Sequence, residues 1–157
     1  MKKIRLIDVD GHNFPNLPLM KISAYHKNQG DEVKFYEPLM DKNLDIAYVA
    51  KVFDFTLDYE YPINAEKIVF GGTGYLLEDK LPQEIENIYP DYDLYKKYSD
   101  TAYGFLTRGC PRKCEFCIVS TKEGNKSIKV ANLSNFWKGQ KKIKLLDPNL
   151  LACKDRE

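Results

Sequence analysis

The chain has 157 residues, with 24 basic and 23 acidic side chains and a formal net charge of +1. That is room for one α/β domain, or for one domain and part of another. Its 43% hydrophobic and 30% charged residues exclude wholesale disorder, and no apolar run approaches the roughly 18 residues that span a bilayer.

The charge is unevenly spread. Residues 1–100 hold 12 basic and 18 acidic side chains, whereas residues 101–157 hold 12 and 5, so the two parts carry −6 and +7. Two pieces with different tasks are expected. The N-terminus reaches Asp8 and Asp10 before any signal-type apolar stretch forms, which predicts a cytoplasmic protein with no membrane partner.

In chain order, residues 3–9 read as a short buried strand ending at Asp10-Gly11. Leu19, Ile22, Ala24 and Tyr25 fall at helical spacing, with Gly30 at a plausible stop. Residues 33–36, 45–53 and 67–70 read as further strands, the last running into Gly71-Gly72-Thr73-Gly74. Residues 81–88 read as a short helix with Pro82 in its first turn. This alternation predicts an α/β fold with a small, doubly wound parallel sheet. Tyr89, Tyr92, Tyr95 and Tyr98 recur every third residue and are expected to be a connector whose rings pack against what it joins. The boundary is placed between residues 99 and 100. Beyond it, residues 102–107, 127–130 and 142–146 read as strands, 133–137 as a short helix and 149–157 as the start of another.

The glycine run is no Walker loop, because no Gly-Lys-Ser/Thr follows, and it comes too late for a dinucleotide fingerprint. A tight turn at a crowded sheet edge is the favoured reading.

The four cysteines stand at 110, 114, 117 and 153. Clustering in the last third argues for metal or cluster ligation in a reducing compartment over a disulfide framework. Cys110, Cys114 and Cys117 are spaced Cys-x3-Cys-x2-Cys. Thiolates so spaced on one tight loop can share a single iron–sulfur cube. Gly109 permits an unusual turn into the loop, and Pro111 discourages a helix that would splay the thiols. Arg108, Arg112 and Lys113 offer positive charge that favours thiolate. Three ligands on a cube of four irons leave one iron open to a small chelating molecule, which points to catalysis over electron storage.

The segment Cys110-x-x-x-Cys114-x-Phe116-Cys117, reached through Arg108-Gly109, resembles the signature of the radical S-adenosylmethionine enzymes. The resemblance implies that the three cysteines bind a four-iron four-sulfur (4Fe-4S) cluster. It also implies that the open iron binds S-adenosylmethionine for radical generation, with Phe116 near that cofactor and a flavodoxin or ferredoxin as reductant. Residues 1–99 resemble the cobalamin-binding domain of one branch of the family, and residues 100–157 would be the first units of its partial (β/α) barrel. The full barrel needs roughly 200 residues, so a truncated and inactive chain is expected, from an enzyme in its full-length form. Leu146-Asp147-Pro148-Asn149 departs from the family's pattern, standing where it has a Gly-Gly-Glu-like turn that grips the methionine amino group. Asp10-Gly11-His12 resembles the cobalamin-ligating Asp-x-His, but Pro15 stands where that motif has glycine. A surface or capping role for His12 is therefore favoured over a cobalt ligand, and the fold does not require cobalamin.

Two other readings compete. All four cysteines could form a structural zinc site in an interaction module, although the position of Cys153 favours a buried thiol. The lysines at 122, 126, 129, 138, 141, 142 and 144 could serve a nucleic acid, although a solvated face explains them as well.

Overall fold

The apolar alternation near the N-terminus builds the centre of the first sheet. In the computed structural model, which describes residues 1–11 and 13–155, strand β1 spans Lys3–Asp8. Helix α1 spans Leu17–Asn28, β2 Glu32–Phe35, β3 Leu44–Ala50 and β4 Ala65–Gly71. All four strands are parallel, in the order β2-β1-β3-β4, so this part of the protein is a mixed α/β fold on a parallel sheet. A short helix, α2, spans Gln83–Glu86 with Pro82 as its N-cap, just outside its first turn.

Each boundary has a local cause. Asn16 caps α1 by accepting from the Leu19 N–H at 3.2 Å, and Pro18 sits in the first turn, where its missing N–H is no loss. Ile4 and Leu6 on one face of β1 pack with Leu19 and Ile22 of α1, Val33 of β2, Ala50 of β3 and Ile85 of α2. Burying each such Leu or Ile stabilises the fold by about 2 kcal/mol. On the opposite face Arg5 is buried but paired, to Asp41 at 2.7 Å and Glu32 at 3.2 Å. The β2–β3 and β3–β4 connections run as loops where a doubly wound sheet would carry helices.

The chain divides into two units, Met1–Lys96 and Lys97–Glu157, a few residues before the expected boundary. The second unit contains β5 (Thr101–Gly104), β6 (Thr107–Arg108), helix α3 (Val119–Lys122), β7 (Ile128–Lys129) and β8 (Lys142–Leu145). Strands β5 and β8 pair in parallel, and β6 and β7 pair antiparallel. The unit buries Ala102, Tyr103, Thr107, Phe136 and Cys153.

Two expected helices are shorter than their sequence spacing implies. Leu133–Asn135 and Leu150–Ala152 are single 3-10 turns, because neither run has enough periodic apolar residues to bury a longer helix face. Cys153 therefore closes a turn in extended conformation and does not lie within a helix. The last two residues of the helix expected over 149–157 lie outside the described residues. No described helix is long and apolar enough to cross a membrane.

Candidate metal centre

The cysteine loop is held at both ends by the backbone. Strand β6 leads into it, and its partner β7 returns the chain alongside, with Thr107 opposite Lys129 and Arg108 opposite Ile128. Gly109 turns the chain at φ +86°, and a Cβ there would lie 2.1 Å from the Lys126 carbonyl oxygen. The role expected of Gly109 is thus met twice, by a backbone angle that disfavours L side chains and by a close backbone approach. The Cys110 N–H donates to the Gly124 carbonyl at 3.1 Å, and the Cys117 N–H donates to the Cys114 carbonyl at 3.0 Å. Helix α3 begins immediately after the loop.

None of the four cysteines forms a disulfide. Cys114 is exposed, Cys110 and Cys117 are half-buried, and Cys153 is buried. Phe116 is 93% exposed. The Arg112 backbone N–H and the Asn149 side-chain amide hold the Cys110 thiol below its usual pKa range. That Asn149 amide donates to Cys110 Sγ at 3.5 Å. Arg108 takes a different role from the expected one: its guanidinium pairs with Glu123 at 2.7 Å and lies over the Phe105 ring at 3.9 Å.

The loop after β8 completes the site. Leu146 donates its N–H to the Gly104 carbonyl at 2.9 Å, extending the β5–β8 ladder. Asp147 then reaches across to the strand that feeds the cysteines. It accepts from the Leu106 N–H at 3.1 Å, the Thr107 N–H at 2.5 Å and the Thr107 hydroxyl at 2.6 Å. The Ser127 hydroxyl donates to the Asn149 carbonyl at 2.8 Å. Residues 147–149 therefore tie the cysteine loop to the carboxyl ends of two parallel strands, the usual place for a ligand site in such sheets. The clamp role of Asp147 is not readable from the sequence. The one signal for it is an acid, placed between a strand and Pro148, in a strongly basic segment.

This clamp has a measurable consequence. Asp147→Ala is expected to leave two backbone N–H groups and a buried hydroxyl without their acceptor, lowering the stability of the second unit by about 1–3 kcal/mol. Urea unfolding followed by the fluorescence of Trp137, the sole tryptophan, reads the shift. Asp147→Asn, which keeps one acceptor oxygen, is expected to recover part of it.

The other residues singled out by sequence have structural occupations. Asp10 accepts from the Val52 N–H at 2.9 Å, the Phe53 N–H at 2.8 Å and the Thr56 hydroxyl at 3.2 Å. It fastens the loop after β3. His12, and with it the cobalt-ligand question, lies outside the described residues. His26, which the sequence reading did not single out, is buried between Asp31 and Tyr48, 3.0 Å from each. The glycine run makes a tight turn against Lys51: Cβ atoms at Gly72 and Gly74 would lie 2.5 and 2.7 Å from the carbonyl oxygens of Lys51 and Phe53. Of the basic residues near the C-terminus, Lys142 pairs with Asp100 at 3.4 Å, and Lys144 lies over the Tyr103 ring at 5.7 Å.

Three thiols on one pinned loop are the donor type that a sulfur-preferring metal group takes, and among the described residues no three His, Cys, Asp or Glu side chains are gathered as the ligands of a metal ion. No protein-family model, curated protein or solved structure shows a significant match to the chain.

Proposed function

We propose that this chain is a radical S-adenosylmethionine protein. In this reading Cys110, Cys114 and Cys117 hold a 4Fe-4S cluster, and S-adenosylmethionine binds at the iron that lacks a protein ligand. The carrying observation is the trio of thiols spaced Cys-x3-Cys-x2-Cys on one loop, pinned at its ends and clamped by Asp147. The parallel β5–β8 pair would be the first two strands of the partial barrel. The parallel sheet of Met1–Lys96 would be the cobalamin-domain-like module, with no need for cobalamin itself. A flavodoxin or ferredoxin is the kind of reductant required, in a reducing compartment such as the cytoplasm.

When bound, the cluster supplies one-electron reduction of the sulfonium cofactor. The chain's own residues hold and tune it. Asn149 donates to the Cys110 sulfur, and hydrogen bonds to ligand sulfurs are one lever on cluster potential. Phe116 stands exposed between two of the thiols in sequence, able to lie along the cofactor. Arg108 holds the loop base through Glu123.

Anaerobic reconstitution with iron and sulfide tests the reading. A reduced cluster whose electron paramagnetic resonance signal shifts on adding S-adenosylmethionine is the expected result. A colourless chain that binds zinc in place of a cluster, or a cluster blind to the cofactor, overturns it.

A further inference from the structure

We propose that the second unit binds single-stranded nucleic acid along residues 137–144. The inference is independent of the iron–sulfur reading. Lys97–Glu157 carries 13 basic and 6 acidic side chains, and residues 124–146 hold six lysines and no acid. A surface that only needs solvation intersperses both signs, so a cationic run of this length is a footprint for a polyanion. Four of the six, Lys138, Lys141, Lys142 and Lys144, stand within seven residues of Trp137 and are exposed.

The segment stands on a fixed base. Phe136 is buried against β5, where a Cβ at Gly104 would lie 2.3 Å from its ring. The next residue, Trp137, is 37% exposed. Its indole N–H donates to the Gln140 carbonyl at 2.9 Å, and the Lys138 backbone N–H donates to the Gln140 side-chain oxygen at 2.8 Å. With its single polar group engaged, the indole offers a ligand π surface, on which a nucleobase of any identity can stack. Strand β8 begins two residues after this turn. Lys142 and Lys144 share one of its faces, in register with Thr101 and Tyr103 of β5. Lys142 meets Asp100 at 3.4 Å, and Lys144 lies over the Tyr103 ring at 5.7 Å. Pairings of such exposed lysines contribute little and yield to a phosphate. Cations strung along a chain beside one ring match a polymer of phosphates and bases better than a single anion, which needs convergent donors. Ile143 and Leu145 alternate with the lysines along β8 and so lie on its other face. Charge and apolar anchor therefore do not meet a bilayer together. Duplex readout needs an element that fills a groove, and α3, with four residues, does not.

Fluorescein-labelled oligo(dT) and oligo(U) of about twelve nucleotides, titrated with the full chain, test the proposal by anisotropy, with Trp137 emission followed in parallel. Saturable binding with a Kd of about 1–100 μM at about 50 mM salt is expected for both. The Trp137 emission should be quenched, and log K should fall against log salt with a slope of about −2 to −3. Trp137→Leu is expected to weaken both oligomers about fivefold or more. Lys141→Gln, Lys142→Gln and Lys144→Gln together should bring the slope about 2 closer to zero. Far-UV circular dichroism checks that each variant is folded. Should Trp137→Leu unfold, Trp137→Phe keeps a stacking ring and is expected to bind within about threefold of the unsubstituted chain. Absence of saturation, unchanged affinity in Trp137→Leu, or loss of binding in a folded Trp137→Phe overturns the proposal. So does polyphosphate, which has no bases, binding as tightly as the oligomers, or tighter binding to vesicles of phosphatidylcholine and phosphatidylserine.

Discussion

Replacing Cys110, Cys114 or Cys117 singly with alanine is expected to reduce reconstituted iron and sulfide to less than about a tenth of the unsubstituted chain, while Cys153→Ala leaves both unchanged. The asymmetry follows from geometry. Each of the three loop thiols would be the only protein tie to its iron, and no other cysteine shares the loop. Cys153 is buried after the 3-10 turn at Leu150–Ala152, so its replacement is expected to lower stability, by about 1 kcal/mol for the lost buried volume, and to remove no cluster ligand. Iron and sulfide assays, with the visible sulfur-to-iron absorption, read the outcome. Metal loss from Cys153→Ala as complete as that from the loop variants would establish a four-thiolate site and defeat the open-iron reading.

Gly109→Ala is expected to destabilise the second unit by about 2–4 kcal/mol, against about 1 kcal/mol for Gly124→Ala. Both glycines have positive φ, +86° and +98°, so both variants incur the left-handed penalty of an L side chain. Only Gly109 is also crowded. Its new Cβ would fall 2.1 Å from the Lys126 carbonyl oxygen and 3.1 Å from those of Glu123 and Gly124, whereas nothing lies within 4 Å of a Cβ at Gly124. The backbone must move to admit the methyl group, and the Cys110 N–H bond to Gly124 lies directly in the way. Urea unfolding monitored at Trp137 measures the difference. Cluster uptake by Gly109→Ala should fall with it, because the displaced segment carries the first thiol. Equal destabilisation by the two variants would show that the φ angle alone matters and that the loop base is not tightly fitted.

The two tests separate attachment from support. Alanine at a cysteine removes a donor and spares the turn. Alanine at Gly109 keeps every donor and disturbs the turn. A chain that loses cluster uptake by both routes behaves as a pinned ligand loop should.

Much of the fold is written locally. The strands at residues 3–9 and 67–70 and the end of α1 before Gly30 follow from apolar runs and stop residues, and they lie within one or two residues of the observed elements. The short helices at residues 133–137 and 149–157 were less legible, because a few apolar residues near helical spacing do not reveal how little surface is there to cover them. The three thiols, their spacing and the glycine ahead of them are equally local, and any reading of the site begins there.

The partners of those thiols were decided elsewhere. Asp147 reaches Thr107, forty positions earlier in the chain, and Asn149 meets Cys110, thirty-nine positions earlier, only because β8 lies beside β5 in parallel register. Arg108, beside the thiols in sequence, is drawn to Glu123 instead. Near neighbours along a chain impose backbone angles and periodicity, and these are fixed by sterics within a few residues. Which distant side chains meet depends on strand order and register, set jointly by the burial of many residues at once. The amino-acid order by itself therefore determined where the sulfur donors stand, and only the folded arrangement determined what holds them.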